Sequence, residues 1–317
     1  MKIVVMEPLG VAMSKINALA GKLEQAGHSV TYYETKETDQ DKLLARVREA
    51  DIIMLANQLL SGAIIRQCPN LKMLAVAFTG VDHVDLAACR ERGIVVCNAA
   101  GYSTNAVAEL VFGLAISVIR NIVPCDGRCR NEGTKDGLVG FEMFGKTFGV
   151  VGTGAIGSRV AAIARVFGCR VLAYSRTVKP ELQAAGVEFV TLNELLKQSD
   201  FVSLHVPLTA ATKHLIDAAA IGKMKQGAVL INTARGPVVD SEALAKALNE
   251  GRLAGAGIDV FETEPPIAAD HVLCSAKNTV LTPHVAFASR EALEKRADIV
   301  FANIEKWLAG APQNVVK

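Results

Sequence analysis

Two series of short apolar runs, rich in Val and Ile, alternate along the chain with segments whose apolar residues recur at helical spacing. The first series comprises KIVVM, VTYY, IIML, KMLAVA and IVVCN, and the second, from near residue 146, comprises KTFGVVG, RVLAYS, DFVSLH, AVLINT, GAGIDV and NTVLTP. Strands that alternate with helices form parallel sheets, because each helix returns the chain to the start of the next strand. We therefore expect an α/β protein with two doubly wound parallel sheets.

The length of the chain, 317 residues, exceeds the usual size of one domain, and half of the residues are hydrophobic. We expect a flavodoxin-like domain over residues 1–99 and a second domain over 100–285. A long helical segment at 103–121 is expected to bridge them. The final helical segment follows the second series and is expected to return to the first sheet, which makes the first domain discontinuous and adds residues 286–317 to it.

The charge of the chain is nearly balanced, with 34 Lys and Arg against 32 Asp and Glu, or +2. This balance disfavours nucleic acid or an anionic membrane as the main partner and favours a small molecule. The N-terminus, MKIVVMEPLG, has too short an apolar run for a signal peptide, so a cytoplasmic location is expected. The longest apolar run, LVFGLAISVI, falls short of a membrane span and predicts a buried helix.

The seven cysteines are scattered along the sequence and predict reduced thiols. The close pair Cys125 and Cys129 has no second pair of Cys or His residues to complete a zinc site. No metal site is therefore expected.

The strongest local motif is G-x-G-x-x-G, formed by Gly152, Gly154 and Gly157 between a predicted strand and a predicted helix. In this setting the first glycine permits a tight turn, the second lets the backbone approach a pyrophosphate, and the third allows the helix to pack closely on the strand. The N-terminus of the helix adds unpaired N–H groups and a positive dipole. The motif predicts a Rossmann dinucleotide-binding domain.

The stretch after the next strand, VLAYSRTVKP, bears on the choice between NAD and NADP. An NAD site usually carries an acidic residue there to bind the ribose hydroxyls, and none occurs from Val171 to Pro180. Ser175, Arg176 and Thr177 instead offer the hydroxyls and the cation that a 2′-phosphate needs. NADP(H) is therefore favoured and NAD(H) remains possible. The alternative interpretation is that Arg176 is a solvated loop residue.

Four charged residues follow predicted strands in the second half of the chain. Arg235 ends an apolar strand just before a Gly-Pro turn, Asp259 and Glu264 follow the next strand, and His284 follows the last. Open α/β sheets bind ligands at this edge, and a histidine beside a carboxylate can act as a general acid or base. Taken singly, Asp259 could be a helix cap, Glu264 a solvated charge and His284 a turn residue.

Over nearly its whole length the chain resembles the D-isomer-specific 2-hydroxyacid dehydrogenases, which include glycerate dehydrogenases and glyoxylate/hydroxypyruvate reductases. The resemblance lies in the ordered series TGVDHVDL, VAEL, GTGAIG, HVPLT, NTARGPVVD, DVFETEP, TPH and NIEKWLAGAPQNVV. It implies an NAD(P)-dependent oxidoreductase that transfers a hydride between the cofactor and a small 2-keto acid, giving the D-2-hydroxy acid.

The resemblance also implies residue roles. Arg235 would grip the substrate carboxylate with help from backbone N–H groups at Thr79 and Gly80, His284 would pass a proton to the keto oxygen, and Glu264 would hold His284. The loop NQLLSG, with Leu59, would line the pocket for the substrate side chain. The expected cofactor-binding residues are Gly152, Thr153, Gly154, Ala155, Ile156, Gly157, Ser175, Arg176, Thr177, Val206, Pro207, Thr212, Thr233, Ala234 and Asp259, the last near the nicotinamide carboxamide. The family's dimer, formed largely through the helix matching 103–121, implies a homodimer.

Three other readings remain open at this point. Formate dehydrogenases share the fold but typically carry glutamine where Glu264 stands. Phosphite dehydrogenases keep the arginine, glutamate and histidine. Dinucleotide-sensing corepressors of the C-terminal-binding type keep the whole fold as a platform for partner proteins. The mixed polarity of NQLLSG does not choose between hydroxypyruvate, glyoxylate and a larger keto acid.

Overall fold

The computed structural model describes residues 1–263 and 266–316. Its strands, in chain order, are β1 (Lys2–Val5), β2 (Ser29–Tyr32), β3 (Ile52–Leu55), β4 (Met73–Val76), β5 (Val95–Asn98), β6 (Thr147–Val151), β7 (Arg170–Tyr174), β8 (Glu188–Phe189), β9 (Phe201–Leu204), β10 (Ala228–Asn232), β11 (Leu253–Ile258) and β12 (Thr279–Leu281). The helices are α1 (Met13–Gln25), α2 (Gln40–Val47), α3 (Gly62–Arg66), α4 (Leu86–Glu91), α5 (Thr104–Ile119), α6 (Ile122–Arg130), α7 (Ala155–Val166), α8 (Pro180–Ala184), α9 (Leu192–Gln198), α10 (Ala218–Lys223), α11 (Ser241–Asn249) and α12 (Arg290–Leu308).

The chain divides into two compact units. The first unit contains Met1–Ser103 and the segment from Ala288 onward, and the second contains Thr104–Phe287. Each unit is built on a wholly parallel sheet, with the helices in the connections between strands. The expectation of an α/β protein with two doubly wound parallel sheets is thereby confirmed.

The first sheet has the strand order β2-β1-β3-β4-β5, which is the flavodoxin-like order. Strands β3 and β4 are buried along their whole length, as expected for central strands of a parallel sheet that is covered on both faces. Helix α12 belongs to this unit and packs against α1, β4 and β5. Its Asn303 donates a hydrogen bond to the Asn98 carbonyl at 2.8 Å, which ties the closing helix to the end of β5.

The second sheet has the order β12-β11-β10-β9-β6-β7-β8. Its order reverses between β6 and β9, so the crevice at the carboxyl ends of these two strands is the topological switch point of a Rossmann sheet. The sequence predicted every strand of this sheet except β8. That strand is two residues long and contains the exposed Glu188, so it carries no apolar run for a pattern to detect.

Helix α5 lies in the core of the second unit and packs against α7, β10, β11 and β12. Its buried residues include Val107, Val111, Phe112 and Leu114, in agreement with the predicted buried helix. Within the described residues no single helix passes for a membrane span; α5 and α6 pass together on length and composition, with a 60° bend between them.

Candidate active site

The turn between β6 and α7 is built from close backbone contacts that exclude side chains. Gly152 has φ of +97°, and a Cβ there would lie 2.6 Å from the His205 carbonyl oxygen. A Cβ on Gly157 would lie 1.9 Å from the Gly152 carbonyl oxygen, where α7 crosses the turn. Both positions therefore require glycine, because a side chain would clash with the segment after β9 at Gly152 and with the turn itself at Gly157.

Gly154 differs from these two glycines because it borders open space. It stands at the N-cap position of α7, and a Cβ there would meet no atom within 4 Å. Beside it, the Oγ1 of the buried Thr153 has no hydrogen-bond partner in the part of the chain that the structure describes. The open backbone, the unpaired hydroxyl and the N–H groups at the start of α7 fit an anionic pyrophosphate.

A cavity of about 390 Å³ lies beside this turn in the second unit. It is lined by Gly152, Thr153, Gly154, Tyr174, Ser175, Arg176, Thr177, Lys179, His205, Val206, Pro207, Thr209, Ala211, Thr212 and Leu215. Arg176 and Lys179 are its fixed charges, and the lining contains no carboxylate. The Lys179 amine donates to the Ser158 hydroxyl at 3.1 Å, which places this cation beside the first turn of α7. The cavity therefore suits an anion.

The cavity gathers nine of the residues that the sequence predicted for the cofactor, from the glycine turn, the YSRT segment and the loop after β9. Ala155, Ile156 and Gly157 begin α7 beside it, whereas Thr233, Ala234 and Asp259 follow β10 and β11 and do not line it. Thr209 also lines it, as the resemblance of the VPLT stretch implies, whereas sequence reasoning missed Tyr174, Lys179, His205, Ala211 and Leu215. Lys179 stood in the quoted VLAYSRTVKP stretch and could have been chosen for its charge, but the remaining four carry no such signal.

His205 lies directly beneath the glycine turn. Its Nε2 is 2.9 Å from the Ser203 hydroxyl, and its side chain would lie 3.3 Å from a Cβ on Gly157. The residue as a whole is half-buried, yet the ring itself is desolvated, and this desolvation lowers the pKa of His205 to about 3. The ring is therefore neutral near pH 7.

Arg235 immediately precedes a short 3-10 turn, Gly236–Val238, close to the end of β10. The Asn232 side chain fixes this corner, since its amide donates to the Arg235 carbonyl at 2.9 Å and its oxygen accepts from the Ala234 N–H at 3.0 Å. The guanidinium donates to the Ala234 carbonyl at 2.8 Å. Arg235 is half-buried, and this hydrogen bond uses one of the five N–H donors of its guanidinium.

The ends of β10, β11 and β12 are joined by backbone hydrogen bonds. The Asp259 N–H donates to the Asn232 carbonyl at 2.9 Å, and the His284 N–H donates to the Asp259 carbonyl at 2.7 Å. Arg235, Asp259 and His284 thus follow three neighbouring strands at one edge of the sheet. The structure brings together these three of the four charged residues that the sequence singled out.

The fully buried carboxylate of Asp259 organises the turn that carries His284. It accepts from the Thr282 hydroxyl at 2.6 Å and from the Val285 and Ala286 N–H groups at 2.9 Å each. Burial raises the pKa of Asp259 above its usual range, while these hydrogen bonds act in the opposite direction. Asp259 is therefore a positioning residue for the histidine turn, a role that the sequence reading did not assign to it.

His284 has φ of +54°, in the left-handed region that few residues other than glycine, asparagine and aspartate enter readily. Its ring meets that of Phe287 edge-on, with the centroids 5.6 Å apart. The hydrogen bonds of Asp259 hold this backbone conformation, so the surrounding structure fixes the position of the His284 backbone. Glu264, the predicted partner of His284, lies outside the described residues.

The predicted substrate residues of the first unit follow β3 and β4. Thr79 is exposed, and its carbonyl accepts from the Asn98 amide at 2.8 Å, which fixes the turn that contains Gly80. Leu59 is 62% exposed although it is a large apolar residue. Both segments lie at the carboxyl edge of the first sheet, where open α/β sheets bind ligands.

Comparison with known proteins agrees with this geometry. Residues 112–286 match the model of the D-isomer specific 2-hydroxyacid dehydrogenase NAD binding domain, which is more than half of the chain. The chain belongs to that dehydrogenase family. It is 42% identical to a glyoxylate reductase of Thermococcus litoralis, over 89% of this chain and 88% of that protein, and 40% identical to a glycerate dehydrogenase of Methylorubrum extorquens, over 92% of each.

A solved acyclic imino acid reductase in complex with NADPH and D-Arg superimposes with a TM-score of 0.90, at 32% identity and full coverage of both chains. As a member of the D-2-hydroxyacid dehydrogenase family, the protein is an oxidoreductase that uses a nicotinamide dinucleotide. The Rossmann unit and the glycine turn are the parts that bind this cofactor in such a protein.

Proposed function

We propose that the protein reduces a small 2-keto acid, of the glyoxylate or hydroxypyruvate type, to the D-2-hydroxy acid, with NADPH as the favoured cofactor. The observation that carries the proposal is the row of Arg235, Asp259 and His284 on three neighbouring strand ends of the Rossmann sheet. This row supplies a carboxylate-binding cation and a proton carrier in one place. The names of the Thermococcus and Methylorubrum relatives support the same substrate class.

In this reaction Arg235 binds the substrate carboxylate in two-point fashion, which orients the keto group. The backbone at Thr79 and Gly80 assists, and Leu59 contacts the substrate side chain. His284 gives a proton to the carbonyl oxygen as negative charge develops there, and Glu264 orients the imidazole. The bound nicotinamide supplies the hydride that the keto carbon accepts. Asp259 keeps the histidine turn in place through its buried hydrogen bonds.

The residues that we assign to the cofactor lie at the carboxyl ends of strands of the second sheet. The pyrophosphate would be held by Gly152, Thr153, Gly154, Ala155, Ile156 and Gly157, and the ribose 2′-phosphate by Ser175, Arg176 and Thr177. The adenosine would be bound by Val206, Pro207 and Thr212, and the nicotinamide end by Thr233, Ala234 and Asp259. Its support is the open Gly154 and the uncompensated cations of the cavity.

The test is a panel of glyoxylate, hydroxypyruvate and pyruvate, each with NADPH and with NADH, read as loss of absorbance of the reduced cofactor. Turnover of a keto acid supports the proposal. Phosphite with NAD⁺ is assayed beside it, because production of NADH there would instead favour a phosphite dehydrogenase. Binding of the dinucleotide without any turnover would favour a sensor of the corepressor class.

NADPH should be favoured over NADH by roughly ten- to hundredfold in kcat/KM, because charge-assisted hydrogen bonds to the 2′-phosphate contribute about 1.5 to 3 kcal/mol. Arg176 is exposed on the cavity and has no ion pair or hydrogen bond within residues 1–263 and 266–316. Arg176→Ala should therefore remove most of the preference by weakening NADPH. Ser175→Asp should turn the preference towards NADH, since a carboxylate binds ribose hydroxyls and repels the phosphate.

The matched control is Arg165→Ala, which removes an exposed arginine in the last turn of α7, away from the cavity lining. It should leave the NADPH/NADH ratio unchanged. A native protein that prefers NADH, or an Arg176→Ala variant with an unaltered ratio, would mean that Arg176 is only a solvated loop residue. Steady-state kinetics at one ionic strength gives the kcat/KM values with NADPH and with NADH.

We assign the substrate-binding role to residues 1–99 and 286–317 and the cofactor-binding role to residues 100–285. A cytoplasmic location is proposed with them, supported by seven free cysteines. Burial raises the pKa of the Cys68, Cys89, Cys97 and Cys169 thiols to about 11, which keeps these thiols protonated and unreactive.

A homodimer is proposed on the basis of an exposed apolar face beside α5 in the second unit. The large apolar side chains exposed on this face are Ile122 (46%), Val123 (59%), Val139 (85%), Phe144 (76%) and Val166 (88%). Backbone hydrogen bonds from Phe141 to Ile119 and from Gly145 to Gly168 connect the segments that carry them. An apolar face of this kind marks an interface, and a second copy of the chain is its proposed partner.

Val139→Glu should shift the protein from dimer to monomer, because it places a charge in the proposed apolar interface. Sedimentation velocity measures the mass directly. Met13→Glu, which alters an exposed apolar residue of the first unit, should leave the dimer intact. A native protein that sediments as a monomer would contradict the proposal, and so would a Val139→Glu variant that remains a dimer.

A further inference from the structure

Glu7, which follows β1, is a buried carboxylate with 0% exposure that the proposed chemistry does not use. Its Oε1 accepts two backbone hydrogen bonds, from the Ala56 N–H at 2.7 Å and from the Gln58 N–H at 2.8 Å. Ala56 and Gln58 lie in the segment after β3. A carboxylate is a strong acceptor, so Glu7 fixes the backbone of this segment at two points.

The other carboxylate oxygen of Glu7 faces Lys36. The Lys36 amine lies 3.6 Å from Oε2 and donates a hydrogen bond to the Asn57 side-chain oxygen at 2.7 Å. Oε2 has no hydrogen bond within the described residues; Lys36 forms its salt bridge, and the buried guanidinium of Arg296 is a second positive charge that interacts with Glu7. The Gln58 amide also donates to the Glu37 carbonyl. The ends of β1, β2 and β3 are thus joined through one charged centre.

The same segment is pinned again at its far end. The Leu60 N–H donates to the His83 carbonyl at 2.9 Å, and Ser61 then caps α3 by accepting from the Ile64 N–H at 3.4 Å. Leu60 itself is fully buried, whereas Leu59 between the two pinned points is 62% exposed. A short segment held on both sides of one residue presents that side chain in one direction.

We propose that Glu7, with Lys36, is the positioning residue of the substrate loop, holding residues 56–58 so that Leu59 is presented to the side chain of the keto acid. The inference rests on the proposed function for its substrate. Glu7 acts through the loop backbone and touches neither substrate nor cofactor. Loosening the loop should therefore weaken keto-acid binding and reduce discrimination among side chains, while cofactor binding stays the same.

Glu7→Ala removes the acceptor for both N–H groups. Its KM for glyoxylate and hydroxypyruvate should rise by about tenfold or more with the KM for NADPH unchanged. Glu7→Gln retains an oxygen that can accept both bonds but loses the charge facing Lys36, so it should rescue most of the effect. A role confined to stability would lower the melting temperature and leave the two KM values in their native ratio, which would overturn the proposal.

Lys36→Met keeps the test open if Glu7→Ala does not fold, because Lys36 lies at the surface, with 52% of its side chain exposed. It should raise the keto-acid KM by a few fold. The matched control is Lys72→Met, whose amine pairs with Asp51 at 3.3 Å and whose side chain is 53% exposed. Lys72 precedes β4 at the opposite edge of the same sheet, so both KM values should stay native.

Amide hydrogen exchange separates this proposal from the proposed function. Ala56 and Gln58 should exchange at least about tenfold faster in Glu7→Ala than in the native protein, and at the native rate in Lys72→Met. Unchanged exchange overturns the positioning role, and faster exchange with an unchanged keto-acid KM overturns the link to specificity. If the native protein reduces no keto acid, the proposed function fails, and the exchange rates still decide whether Glu7 holds the loop.

Discussion

Arg235→Ala should lower kcat/KM for glyoxylate by about 30- to 4000-fold, the range that corresponds to roughly 2 to 5 kcal/mol for the loss of one partner of a desolvated charge pair. The guanidinium is half-buried, and its corner is held by the Asn232 side chain, so little reorganisation accompanies binding of a carboxylate. Part of the loss should appear in kcat, because an unclamped keto acid spends less time in a reactive orientation. Steady-state kinetics with saturating NADPH measures both parameters.

Arg235→Lys is the conservative comparison for this prediction. Lysine retains the charge but not the planar fork, so its kcat/KM should fall between those of the native protein and the alanine variant. The KM for NADPH should stay native in both variants, which shows that the Rossmann unit is intact. Near-native kcat/KM for glyoxylate in Arg235→Ala would reject the carboxylate clamp.

The sheets were predictable from the sequence because the buried parallel strands are continuous apolar runs. IIML and MLAV, the fully buried β3 and β4, are such runs, and so is AVLIN of β10. Strand β8 escaped prediction because two residues at a sheet edge form without an apolar run. Helix α5, predicted as a buried helix within 103–121, has its buried residues packed in the second unit, where it contacts α7 and β11, and the bridging role expected for it stays a prediction.

Some residues of the candidate site could likewise be predicted from the sequence and others could not. The glycine turn was predictable because the spacing of its three glycines is local in the sequence, although the contact of Gly152 with His205 could be seen only in three dimensions. Lys179 and His205 were missed because their places depend on packing between separate segments, Lys179 on Ser158 and His205 on the underside of the turn. Asp259 was chosen as a cofactor residue, and its three hydrogen bonds to the turn of His284 could be seen only in three dimensions.

His284→Asn should lower kcat for keto-acid reduction by about 100- to 10,000-fold, the usual contribution of a general acid. Asparagine is the informative replacement, because His284 has φ of +54° and asparagine enters that left-handed region readily. The turn held by Asp259 should therefore survive, and the melting temperature should stay near the native value. Native kcat in a folded His284→Asn variant would exclude His284 as the proton donor.

Reduction by the native protein should be fastest at low pH and fall as pH rises, because only the protonated imidazole of His284 can give a proton to the carbonyl oxygen. Oxidation of the hydroxy acid needs the neutral ring and should show the opposite trend.

An anion at Glu264 favours the protonated ring of His284, so Glu264→Gln should move the pH of half-maximal reduction downward. Glu262→Gln is the matched control, since Glu262 bonds to Ser241 at 2.5 Å and to His271 at 3.0 Å and should leave the profile in place. A profile that Glu264→Gln does not move would mean that Glu264 does not tune His284.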